Sequence, residues 1–155
     1  MKRIVCYFSA TGITKTVASM IAEFTESDLF EIAPVKEYTM EDLDWQDENS
    51  RSSVEMKNKK FRPEVKNKVT NISDYSEVII AFPVWWYTAP TIINTFIEEN
   101  DLTNKKIYLF VTSGGSTYNG SFTDLSNKYP NLNFVSGIKF NRNVTKEDVI
   151  NWLEG

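Results

Sequence analysis

Ser9, Thr11 and Thr14 place three hydroxyls within six residues around Gly12, in the run YFSATGITKT. An apolar stretch over residues 3–8 precedes them, and an amphipathic helical pattern follows at once over 14–26. The spacing therefore sets the hydroxyls at a strand-to-helix junction. The first-turn N–H groups of a helix lack intrahelical partners, and the helix dipole favours negative charge there. Such a junction binds anions, and a phosphate suits it well. Gly12 supplies the left-handed or close-approach geometry that a phosphate cradle needs. Ser9, Thr11, Gly12, Ile13 and Thr14 are accordingly the first candidate residues. The same segment also reads as a plain turn with Thr11 or Thr14 as N-cap. It lacks the Gly-Lys-Ser/Thr ending of a Walker loop and the Gly-x-Gly-x-x-Gly of a dinucleotide fingerprint. Lys15 follows the loop and is expected to face solvent.

Two further segments carry chemistry. Pro83, Val84, Trp85, Trp86 and Tyr87 follow an apolar run, and three adjacent aromatics in a loop are unusual. Indole and phenol rings give a flat ring system stacking surfaces and dry walls. At least one of the three is expected to cap the core, and at least one to touch a ligand. Ser113, Gly114 and Gly115, with Tyr118 and Gly120 beyond, follow another apolar run. Paired glycines let a backbone lie close to a flat ligand, although alone this is an ordinary Gly-Ser loop.

The elements that must position these loops alternate. Strands are expected over 3–8, 28–33, 77–82, 105–112 and 133–140. Helices are expected over 14–26, 90–99, 121–129 and 145–153. The first strand, over residues 4–8, is a continuous apolar run and the third, over 77–82, is apolar on both faces, as in a parallel sheet buried on both sides. The last helix opens on Thr145 and Asp148, a capping-box pattern. The connection over 35–73 is long and polar. A helix is expected within 50–60, with Val54 and either Met56 or Phe61 packing inward. Strands alternating with helices give a doubly wound α/β domain over residues 1–155, with helices on both faces and strand order 2-1-3-4-5. Ligands in such sheets bind beyond the strands' carboxyl ends, at the switch between strands 1 and 3. The three candidate loops fall after strands 1, 3 and 4.

Composition narrows the function. A net charge of −4, a pI near 5.0 and the lack of a basic stripe argue against nucleic-acid binding. With no histidine and the single Cys6, Ser-His-Asp and Cys-His catalysis is excluded and a transition-metal site is not expected. Cys6 can form no internal disulfide and reads as a small buried side chain. No membrane-spanning run and no signal region is evident, so a cytoplasmic location is expected. A signalling receiver domain shares the strand order but needs acidic residues where this chain has Ser9 and Pro83, and a Lys where it has Thr112-Ser113.

The segments FSATGIT, FPVWWYTAP and TSGGSTYNGS resemble those of short flavodoxin-like proteins with a Pro-[IV]-Trp-Trp loop. The stretch DWQDENSRSSVEMKNKKFRP, residues 44–63, resembles their long second connection. The resemblance implies non-covalent FMN. It implies that Ser9, Thr11, Gly12, Ile13 and Thr14 hold the phosphate. Pro83, Val84, Trp85, Trp86 and Tyr87 would line the isoalloxazine, and Ser113, Gly114, Gly115, Tyr118 and Gly120 its other edge. Two departures stand out: Ile13 where many flavodoxins have Asn, and Tyr87 where related proteins often have Gly. The implied role is a redox protein, either an oxidoreductase or an electron carrier. Its partners would be a redox protein or a small donor or acceptor such as NAD(P)H or a quinone. The alternative is a non-enzymatic flavin-binding interaction or sensory module. The modest negative charge gives weak steering toward basic partners and tilts the reading toward an oxidoreductase. No catalytic side chain is assigned, because a bound flavin carries the redox chemistry. In the long connection Tyr38, Trp45, Arg51 and Arg62 either close over the site or serve ordinary packing.

Overall fold

Alternate residues of a strand point to opposite faces, and here both faces are apolar. Ile4, Cys6, Val78, Ile80, Ile107 and Leu109 feed one buried cluster, while Val5, Tyr7, Ile79, Ala81, Tyr108 and Phe110 feed the other. The computed structural model describes residues 2–113 and 117–155. Its five strands are β1 (Lys2–Tyr7), β2 (Asp28–Glu31), β3 (Tyr75–Pro83), β4 (Lys106–Thr112) and β5 (Asn133–Lys139). They pair in parallel in the order β2-β1-β3-β4-β5, as the sequence predicts. The register sets Cys6 beside Ile80 and Ile80 beside Leu109, which makes one apolar row.

Helices cover both faces. α1 (Ile13–Thr25) and α5 (Lys146–Glu154) lie on one. Val17, Ala18 and Ile21 of α1 and Val149 and Trp152 of α5 belong to its cluster. α3 (Thr91–Glu99) covers the other face through Ile92, Ile93 and Phe96, and α4 (Asn119–Lys128) joins it through Leu125. Each fully buried side chain of this size contributes about 1.5–3 kcal/mol. The Thr145–Asp148 capping box forms as expected, with its two hydrogen bonds each 3.1 Å long. Burial pushes the Cys6 thiol far above its usual pKa, so it stays a protonated core group.

The long connection corrects the sequence reading. Its helix, α2, is short (Arg51–Lys57) and capped by Ser50, which accepts from the Ser53 N–H. It buries Ser52, Ser53 and Glu55, while Val54 and Phe61 are exposed. Val54 therefore does not pack inward, and Met56 is only half-buried. The reason is that α2 is anchored by a carboxylate. Glu55 accepts from the Tyr38 hydroxyl and, at 2.8 Å, from Nε of Arg51. β2 also stops two residues before its predicted end, although the Ile32 N–H still donates to the Tyr7 carbonyl at 2.6 Å. Among the described residues no helix is long and apolar enough to cross a membrane.

Candidate ligand site at the carboxyl ends of the strands

β1 delivers the first loop through Phe8, which is buried. Ser9 Oγ accepts the Gly12 N–H at 3.0 Å and closes the loop. Gly12 is itself the N-cap of α1, at φ 93°, a left-handed conformation that strains any residue with a side chain. Neither Thr11 nor Thr14 is the cap, which corrects that alternative: no side-chain hydrogen bond caps this end of the helix. No capping side chain takes the orphan donors of the first turn, an arrangement that suits an anion. Thr11 and Ile13 are exposed, as is Lys15. Thr14 is buried, with its hydroxyl 2.7 Å from that of Thr112 at the end of β4. It ties α1 to the sheet, so the solvent-reached hydroxyls of the loop are those of Ser9 and Thr11.

The second loop is a two-residue hairpin. Trp85 and Thr88 exchange backbone hydrogen bonds of 2.9 and 3.0 Å, with Trp86 at φ 48° and Tyr87 at φ 65° between them. Two central residues at positive φ make the type I′ pattern, which normally selects Asn and Gly. Left-handed geometry costs a side-chain-bearing residue about 1–2 kcal/mol, and such strain clusters at functional sites. α4 packs close against this turn. Thr88 Oγ1 donates to Asp124 of α4 at 2.5 Å, and a Cβ added at Gly120 would sit 2.1 Å from the Tyr87 carbonyl oxygen. Gly120 is therefore explained by the close approach of α4 to the turn. Gly120→Ala should lower stability by about 1–3 kcal/mol through overpacking, read by urea unfolding. Tyr87→Gly should raise it by about 1 kcal/mol, because relief of the strain outweighs glycine's entropy cost.

The aromatics divide their work. The Trp85 ring meets Phe8 edge-on at 5.6 Å and Tyr38 at 5.3 Å, so it caps the core. Trp86 and Tyr87 remain 42% and 77% exposed. Tyr38 lies under the Arg51 guanidinium, 3.8 Å above its ring. Burial, and next its hydrogen bond to Glu55, pushes the Tyr38 phenol well above its usual pKa. Arg51 also donates to the Lys36 and Glu37 carbonyls at 2.8 and 3.1 Å. Arg62 instead forks onto Glu98 of α3 at 3.0 Å. Tyr38 and Arg51 thus support Trp85 from behind, and Arg62 is engaged elsewhere.

In the third loop Ser113 is half-buried, while Gly114 and Gly115 lie outside the described residues. Tyr118 packs on Phe122 with ring centres 6.5 Å apart, and lies so close to Gly137 that an added Cβ there would come within 2.6 Å of it. The structure brings Thr11 and the run 83–87 to one cavity of about 740 Å³. Its other walls are Ala10 and, from the long connection, Leu43, Trp45 and Ser52. Leu43 and Ser52 carry no ligand-binding pattern in sequence, because only the fold of the connection brings them here. The volume and apolar lining are those of a cofactor pocket.

The family model for flavodoxin matches residues 2–155. The chain belongs to the flavodoxin family. This flavodoxin-family chain is similar in structure to a candidate flavoprotein from Bacteroides eggerthii DSM 20697. The two are 44% identical with a TM-score of 0.96, covering 99% of this chain and 96% of that one. A second candidate flavoprotein, from Bacteroides uniformis ATCC 8492, is 42% identical with a TM-score of 0.93, covering 99% and 98%. A flavoprotein from Lactobacillus acidophilus NCFM, solved in complex with FMN, shares the fold at 23% identity and a TM-score of 0.74, covering 98% of each chain. The sequence matches no protein of curated function. Flavodoxins are a standard example of binding at the switch point of a doubly wound sheet, where this flavodoxin-family chain has its cavity.

Proposed function

We propose that the chain binds FMN non-covalently and works as a redox protein. One observation carries the reading: a single apolar cavity runs from Thr11, beside the uncapped left-handed start of α1, to the aromatic turn. That pairing suits a ligand with a phosphate at one end and a flat ring at the other. Ser9 fixes the loop through Gly12, and the Thr11 hydroxyl with the Ile13 and Thr14 N–H groups would receive the phosphate. With no Lys or Arg before Lys15 in this loop, N–H groups, hydroxyls and the helix dipole must offset the phosphate charge. Pro83, Val84, Trp85, Trp86 and Tyr87 would wall the isoalloxazine, with Ser113, Gly114 and Gly115 at its other edge. When bound, the flavin supplies one- or two-electron chemistry. The protein's part is to bind it, exclude water and set which partner reaches it, so no catalytic side chain is assigned.

Two roles fit: an electron carrier serving a redox protein, and an oxidoreductase serving a nicotinamide or quinone. The net charge of −4 supports the second through its weak steering of basic partners. A reducing, cytoplasmic setting suits the lone thiol Cys6. The test is anaerobic mixing of FMN-loaded protein with NADH or NADPH. Rapid bleaching of the flavin band, restored by an added acceptor, supports an oxidoreductase. Bleaching by dithionite alone supports a carrier or a sensory module. Protein that takes up no FMN sinks the reading.

A further inference from the structure

Trp45, Trp86 and Tyr87 line a second cavity as well as the first. It measures about 710 Å³ and opens toward α2 and α4. We propose that this second cavity binds a neutral, flat aromatic molecule bearing carbonyl oxygens, of the quinone class.

The walls argue for a flat ring. Trp45 is 69% exposed, and with Trp86 and Tyr87 it makes three large aromatic side chains left to water around one cavity. Met56 adds a thioether, which packs well on aromatic edges. The turn also holds two residues at positive φ with α4 close against it, and strain of this kind clusters at functional sites.

The charges argue for a neutral ligand. Lys57 and Lys59 line the cavity against Glu48 and Asp124, so its ionic lining sums to zero. A phosphate dianion would meet both carboxylates. The Asp124 carboxylate is engaged by Thr88, and the Lys57 ammonium donates to the Glu48 carbonyl at 3.3 Å. The Lys59 ammonium has no ion-pair partner among the described residues, and the Gln46 side chain also lines the wall. These two are the donors that ring carbonyls would accept from. The geometry of the cavity stands by itself. Its meaning as a substrate site rests on the flavin reading, since the shared turn places an occupant next to the first cavity.

The experiment is a titration of ¹⁵N-labelled, FMN-loaded protein with menadione, followed through the indole N–H signals and repeated on the apoprotein. The expected result is a saturable shift of the Trp45 and Trp86 indoles with Trp152 unmoved. Trp45→Ala, a change at an exposed position, should weaken binding about tenfold or more, and Lys59→Met should weaken it severalfold. Retention of menadione when FMN is bound supports a separate site. Menadione that shifts Trp45 and Trp86 and is weakened severalfold by Lys59→Met, a residue of the second cavity and not of the first, in a protein that binds no FMN leaves the site standing and sinks the flavin reading alone. Displacement of menadione by FMN, absence of a saturable shift, or unchanged affinity in Trp45→Ala overturns the proposal.

Discussion

Thr11→Glu lowers FMN affinity by about a hundredfold while leaving stability within about 0.5 kcal/mol of wild type. Thr11 is exposed and lines the cavity, so the longer side chain has room in solvent. It does bring a carboxylate to the proposed phosphate position, where only N–H groups, hydroxyls and a helix dipole would offset the charge. Two like charges about 4 Å apart near a protein surface repel by about 4 kcal/mol. Screening in an open loop removes part of that, and about 2.7 kcal/mol remains, which is the hundredfold loss. Thr11→Ser keeps the hydroxyl and should bind like wild type. Fluorescence titration with FMN checks both variants, and unchanged affinity in Thr11→Glu sinks the assignment of the first loop.

Phe8→Ala is expected to cost the fold about 3–5 kcal/mol. Phe8 is 1% exposed and meets Trp85 and Tyr38 edge-on at 5.6 and 5.7 Å. It is also the residue that launches the Ser9 loop. Its removal leaves a cavity under both the loop and Trp85, so stability and FMN affinity should fall together. Urea unfolding and flavin titration of the same sample read the two losses. A loss of stability with full affinity would show that the loop and the Trp85 wall do not depend on this cluster.

The fold was legible because its signals are redundant. Runs such as EVIIAF bury both faces of a strand, the amphipathic stripe of Val17, Ala18 and Ile21 can face only a sheet, and Thr145 with Asp148 marks a helix start. The positions of the three loops followed from strand order. Local detail within them did not follow, because it depends on distant partners. Thr14 looks like a cap and is instead bonded to Thr112, ninety-eight residues away. Trp86 and Tyr87 are poor type I′ residues, and the distant groups beside their turn, Asp124 holding Thr88 and Gly120 admitting the Tyr87 carbonyl, leave no trace in the local sequence. Helical spacing favoured burial of Val54, whereas Glu55, held by Tyr38 and Arg51, fixes which side of α2 faces inward. Polar anchoring of this kind leaves no hydrophobic period to read.

Whether one cavity holds both ends of FMN is read by titrating FMN with apoprotein and following flavin fluorescence. Quenching should saturate at one FMN per chain, with a shift of the visible absorption bands as the ring enters the aromatic wall. Fluorescence that stays at the free-flavin level, with unshifted bands, would contradict it.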